Sequence, residues 1–126
     1  MTDSIIEKVR EELTKNNTLR VGINASNFLL VSGINSDGSP FGIAPDLRRL
    51  FAYELEVTPK FIVFENPGKL ADAGLEGAWD IAFVGNEPQR AKDIAFSAPY
   101  LEIPVTFLVR EDSLIKDLSE IDQVSC

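Results

Sequence analysis

Apolar residues at Ile5, Ile6, Val9 and Leu13 recur at three- and four-residue intervals, the spacing of a single helical face. Ser4 with Glu7 has the pattern of a capping box, Glu11 and Lys15 form an i,i+4 pair on the other side, and Asn16-Asn17 ends the segment. From Thr18 the period shortens to two. Leu19, Val21 and Ile23 alternate with Arg20 and Gly22, which predicts a strand over Thr18–Ile23. The polar stretch Asn24–Asn27 leaves that strand. An extended arm is expected over Phe28–Ile34, turned by Ser36-Asp37-Gly38 into a second arm over Pro40–Ile43. Pro45 suits the first position of the next helix, whose buried side would carry Leu47, Leu50, Phe51 and Leu55.

The second half repeats the alternation of strand and helix. Thr58–Phe64 reads as a strand with Pro59 at its start, where a missing donor is tolerated. Asn66-Pro67 caps a helix running to Glu76, and Gly77 closes it. Ile81–Val84 is a short apolar run of the kind that fills the middle of a parallel sheet. Gly85-Asn86 breaks that strand, and Pro88 opens a short helix to Asp93 with Arg90 on its first turn. Beyond the Pro99 turn, Pro104 precedes a fourth strand, Val105–Arg110, and Ser119–Gln123 forms a final helical turn. Strand–helix–strand–helix–strand predicts an α/β fold with right-handed crossovers and a mainly parallel sheet. Ligands of such sheets sit outside the carboxyl ends of the strands. Here those ends are Asn24–Phe28 and Gly85–Arg90.

Composition narrows the partners. The 126 residues suit one core-forming domain, with residues 1–17 an added helix and 18–126 a single lobe. A net charge of -8 argues against nucleic acid, whose phosphates need a basic surface, yet permits an anionic small ligand at one locally dominant arginine. The chain has no His, and its one Cys is Cys126. The commonest general base, the commonest metal ligand and an intramolecular disulfide are therefore absent, and neither metal nor cofactor is expected. No apolar run reaches the length of a membrane span, and the N-terminal segment lacks the hydrophobic stretch of a signal peptide. With Met1 as the native start the chain would be cytoplasmic.

The candidate chemistry centres on Arg90. A strand end, a loop of small residues and a helix start carrying an arginine together make a place for an anion. Its planar fork matches two carboxylate oxygens; the alternative is an exposed ion pair with Glu87 or Asp93. Gly85 and Asn86 of the same loop, and Asn24 and Asn27 of the first, are placed to orient a ligand, although Asn also caps and turns. Phe28 is placed either to stack on a ligand or to pack beneath the hairpin. Trp79 and Tyr100 read as packing residues at the sheet margins, with the cleft or hinge as the alternative for Tyr100. Asp46 reads as a first-turn acid, and Asp80 as the partner of a nearby donor, with a chemical role as its alternative. No two carboxylates have the spacing of an acid/base dyad.

Four segments, in order, carry a family resemblance: Leu-Arg-Val-Gly-Ile-Asn (19–24), Asp-Gly-Ser-Pro-Phe-Gly-Ile-Ala-Pro-Asp-Leu (37–47), Gly-Ala-Trp-Asp-Ile-Ala-Phe-Val-Gly (77–85) and Arg-Ala-Lys-Asp-Ile-Ala-Phe-Ser-Ala-Pro-Tyr (90–100). Over residues 18–123 the chain resembles the family 3 solute-binding proteins, the amino-acid-binding branch of the type II periplasmic binding fold. The resemblance implies two α/β lobes closing over an amino acid or similar solute delivered to an ABC permease or a sensor, and a periplasmic location. It implies that Arg90 grips the ligand carboxylate, that Gly85-Asn86 adds hydrogen bonds and that Asn24–Phe28 lines the pocket. The family's usual acidic residue and aromatic of the first loop stand here as Asn24 and Asn27, with Phe28 beside them, which favours a small carboxylate over an amino acid. The chain ends where the family crosses into its second lobe. The expectation is therefore one three-layer lobe of strand order 2-1-3-4 without its returning strand, alone binding weakly if at all. Three roles follow: a non-catalytic solute-binding lobe, an interaction module that dimerises through its unfinished sheet, and a dehydratase-like enzyme of the kind found among relatives of this fold.

Overall fold

The computed structural model describes residues 3–104, 107–117 and 119. The chain divides into two compact units, Met1–Phe96 and Ser97–Cys126. Within the first, helix Asp3–Leu13 (α1) precedes strand Thr18–Asn24 (β1). A hairpin of Gly33–Ile34 (β2) and Pro40–Phe41 (β3) follows, then helix Ile43–Glu54 (α2), strand Thr58–Phe64 (β4) and helix Pro67–Leu75 (α3). Strand Ile81–Ala82 (β5) and the one-turn helix Pro88–Ala91 (α4) complete it.

β1 lies at the centre of a parallel sheet ordered β4-β1-β5, the first three places of the predicted 2-1-3-4 order. It pairs with β4 along its whole length, from Thr18↔Thr58 to Asn24↔Phe64, and with β5 at Val21↔Ile81 and Gly22↔Ala82. Central position buries both of its faces. Leu19, Val21 and Ile23 are fully enclosed and join Val31, Ala44, Ala52 and Phe83 in the main core, on the α2 side. Gly22 points the other way, where an added Cβ would stand 3.0 Å from the Trp79 ring. That ring also crosses Gly74 of α3, and the indole N–H donates to the Leu70 carbonyl at 2.8 Å. The two helices thus cover opposite faces of the sheet, as right-handed crossovers to left and right of β1 require.

α1 is tied to the end of α2 by Arg10, whose Nε donates to the Leu55 carbonyl at 2.7 Å while Nη2 meets Glu56 at 3.2 Å. A cation at a helix C-terminus is favoured by the carbonyls left open there. Arg49 ties α2 to the hairpin, donating to the Pro40 carbonyl and pairing with Asp46. Arg48 lies 3.8 Å from the centre of the Phe83 ring, so a cation covers the aromatic that follows β5.

Several local expectations are corrected. Ser4 already lies inside α1, so Ser4 and Glu7 do not form a box at its start. The first hairpin arm is only Gly33–Ile34, because Asn27 turns the chain. Its side-chain oxygen takes the Leu29 N–H and its carbonyl takes those of Leu30 and Val31. α2 begins at Ile43 behind Gly42, so Pro45 is third in the helix. Gly42 has φ 135°, and a Cβ there would sit 2.7 Å from the Leu30 carbonyl oxygen. Its buried face is Ala44, Pro45, Ala52 and Leu55, while Leu47 and Leu50 are exposed. The third strand stops at Ala82 instead of Val84. Of the fourth, Val105 and Thr106 lie outside the described residues, and Phe107–Arg110 has no regular structure. In that second unit Arg110 pairs with Asp112, and Ser119 bonds the Asp117 carboxylate through its N–H and hydroxyl, holding that acid below the usual carboxylate range. The rest of the Ser119–Gln123 turn lies outside the described residues.

Candidate functional site

Parallel pairing of β1 with β5 directs their carboxyl ends to the same edge of the sheet. Their last pair is Gly22↔Ala82, two residues before Asn24 in one strand and three before Gly85 in the other. The loops Asn24–Phe28 and Gly85–Arg90 therefore leave the sheet side by side.

In the first loop, Asn24 ends β1 by turning its side chain onto the chain ahead. Its Oδ1 accepts from the Ser26 N–H at 3.0 Å and the Ser26 hydroxyl at 2.7 Å. The Ala25 N–H extends the ladder once more to the Phe64 carbonyl at 2.9 Å. Asn27 repeats the device, accepting from the Leu29 N–H at 3.2 Å. Phe28, between these turns, is 79% exposed, so it does not pack beneath the hairpin.

In the second loop the Arg90 side chain is 18% exposed and folds back along its own loop. Nη1 donates to the Gly85 carbonyl at 3.0 Å and stands 3.5 Å from the Glu87 carboxylate. Among the described residues, Nε and Nη2 make no further hydrogen bond. The fork is thus anchored on one nitrogen, and its Nε/Nη2 edge keeps the two parallel donors that fit a carboxylate. α4 has a single turn, so its dipole adds little and the guanidinium is the principal positive group. Asn86 is exposed beside it. A Cβ on Gly85 would meet Arg90 Nη1 only at 3.5 Å, so the loop uses the Gly85 carbonyl more than its lack of a side chain.

The residue patterns did not single out Ser26, whose N–H and hydroxyl hold Asn24, or Arg20, which bonds Asp80. Arg20 donates from Nη2 to Oδ1 at 2.8 Å, from Nε to Oδ2 at 3.2 Å and from Nη1 to the Gly77 carbonyl at 2.8 Å. Its backbone N–H adds a bond to Oδ2 at 2.8 Å, and the Asp80 N–H returns one to the Arg20 carbonyl at 2.9 Å. Burial alone would raise the Asp80 carboxyl, but the Arg20 bonds and charge outweigh it and hold it below the usual range. Asp80 is therefore an ionised structural clamp at the entrance to β5. The only signal for it was a charged residue opposite another across neighbouring strands.

A hollow of about 400 Å³ lined by Ile6, Tyr53, Glu54, Glu56 and Val57 lies where α2 ends and β4 begins, at the opposite edge of the sheet. Among the described residues no cluster of His, Cys, Asp or Glu could hold a metal ion, and no helix is long and apolar enough to cross a membrane.

Residues 19–119 match the family model of the bacterial extracellular solute-binding proteins, family 3. Among solved structures, the crystal structure of an ancestral cyclohexadienyl dehydratase aligns with a TM-score of 0.62 at 26% identity, over 80% of this chain and 40% of that one. The chain thus spans well under half of that dehydratase. No curated protein matches the sequence.

Proposed function

Since the chain belongs to the bacterial extracellular solute-binding proteins of family 3, we propose that it is a non-catalytic lobe holding a small carboxylate or amino acid on the Nε/Nη2 edge of Arg90. Asn24, Asn27 and Asn86 would orient the solute, Gly85 would position the guanidinium and Phe28 would cover the apolar part of the ligand. The observation that supports this most is the adjacency of β1 and β5, which sets the two loops on one rim. Alone, the lobe encloses a solute from one side, so its binding would be weak. Residues 18–126 would act as one unit with residues 1–17 as an added helix, in an extracellular or periplasmic setting that serves an ABC permease or a sensor. The outer edge of β5 would pair with a second copy.

Calorimetry and NMR titration with pooled amino acids and dicarboxylates test the reading. Binding should be weak, and Arg90→Ala should lower it by about tenfold or more, the cost of a charge-assisted bond to a desolvated carboxylate. Sub-micromolar affinity would show that one lobe suffices. Affinity untouched by Arg90→Ala would remove the guanidinium from the site.

The aligned dehydratase favours a second reading, in which the chain contributes to loss of water from a cyclohexadienyl acid. Elimination needs a proton acceptor and a proton donor facing the substrate. The two loops hold one carboxylate, Glu87, and it faces Arg90. Product formation from such an acid, lost in Glu87→Gln, would support this alternative over the binding lobe.

A further inference from the structure

The two asparagine side chains of the first loop are both fixed through their oxygens. Two backbone N–H groups fix the asparagine side chains, because an N–H must meet an oxygen. Asn24 Oδ1 is held by Ser26 and Asn27 Oδ1 by Leu29. That leaves the two amide nitrogens, which donate. Among the described residues nothing accepts from either. Two of the rim's backbone acceptors are occupied: the Gly85 carbonyl by Arg90, and the Asn27 carbonyl by the Leu30 and Val31 N–H groups. The one carboxylate of the two loops, Glu87, stands 3.5 Å from Arg90. Arg90 adds further donors.

We infer that the site selects acids whose second polar group accepts hydrogen bonds, such as a 2-oxo or 2-hydroxy acid, and disfavours the α-ammonium of an amino acid. This rests on the reading that Arg90 holds the carboxylate. An ammonium group has three donors and no acceptor, so beside two amide N–H groups it leaves donors facing donors. A carbonyl or hydroxyl oxygen at the same carbon receives them. A site whose polar groups must be matched rejects the mismatched analogue more strongly than an apolar pocket does.

2-Oxoglutarate, 2-hydroxyglutarate and glutamate share one skeleton and differ only at that carbon, so they isolate the effect. Each is titrated by NMR into the full chain to tens of millimolar, for wild type, Asn24→Asp and Arg90→Ala. The oxo and hydroxy acids should bind about tenfold or more tighter than glutamate, the scale of one hydrogen bond to a charged group. Asn24→Asp keeps the oxygen that Ser26 requires and turns the amide donor into an acceptor, so the preference should shrink or reverse. Asn27→Asp serves the same purpose if that variant does not fold. Arg90→Ala should weaken all three acids. Equal or tighter binding of glutamate, with every acid still lost in Arg90→Ala, overturns the inference and leaves the carboxylate reading standing. Binding unaffected by Arg90→Ala, or no binding by any of the three, overturns both.

Discussion

Arg20 and Arg90 are the same side chain in different surroundings. Arg20 meets Asp80 with two nitrogens, and Asp80 is only 13% exposed. Arg90 meets Glu87 at 3.5 Å from one nitrogen and a carbonyl from the same nitrogen, which leaves Nε and Nη2 without a further bond among the described residues. Removing the Asp80 charge leaves the Arg20 guanidinium half-enclosed and unmatched, so Asp80→Asn should cost about 1–3 kcal/mol at neutral pH. The sign of the pH dependence follows from the carboxyl being held low in the folded state. Its contribution is complete above the unfolded value near ~4 and is lost as pH falls through the lower folded value. Urea unfolding of wild type and Asp80→Asn should therefore give curves that differ at neutral pH and converge in acid below the carboxylate range. A gap that persists unchanged there would place the stabilisation elsewhere. Of the site, the chain pattern made the two rim loops legible. It could not show which asparagine atoms are already bonded, because that depends on hydrogen bonds from Ser26 and Leu29 that only the folded turns create.

Among the elements, those with a clean period were readable. β1 and β4 form at the predicted positions, with Leu19, Val21 and Ile23 of β1 enclosed, and α3 runs between an Asn66 cap and Gly77, as the capping chemistry implies. α2 shows where periodicity misleads. Leu47 and Leu50 have the right spacing for a buried stripe, yet the sheet takes the face of Ala44, Pro45 and Ala52, because small residues let the helix approach closely. The same rule governs α3. A Cβ at Gly74 would stand 2.3 Å from the Trp79 ring, a separation that no real contact tolerates. The glycine intrinsically weakens the helix relative to alanine by about 1 kcal/mol, so on propensity alone Gly74→Ala should stabilise. The clash predicts the reverse, a loss of about 1–3 kcal/mol as Trp79 is forced from its rotamer and its bond to the Leu70 carbonyl. Thermal unfolding with tryptophan fluorescence decides between them: a lower midpoint and an altered emission support the close approach, and a raised midpoint rejects it.

For the whole molecule, the question is what lies beside the two outer strands of the described sheet. β4 is one, and it begins with Pro59 and Lys60, a missing donor and a charge that both discourage pairing with another chain. β5 is the other, with the apolar Ile81-Ala82 and, among the described residues, no strand beyond it. α2 adds an exposed stripe of Ile43, Leu47 and Leu50 along its outer face. Exposed apolar groups of this kind favour association, although a net charge of -8 opposes like copies approaching. The balance is sensitive to salt, since screening weakens repulsion between exposed charges and leaves apolar contact intact. Sedimentation velocity should therefore show a weight-average mass rising with protein concentration, and rising further with added salt. A monomer at every concentration and ionic strength would mean that neither the β5 edge nor the α2 stripe recruits a second copy. Association that salt instead dissolves would point to charge pairing as its cause and would separate the oligomer from the β5 edge.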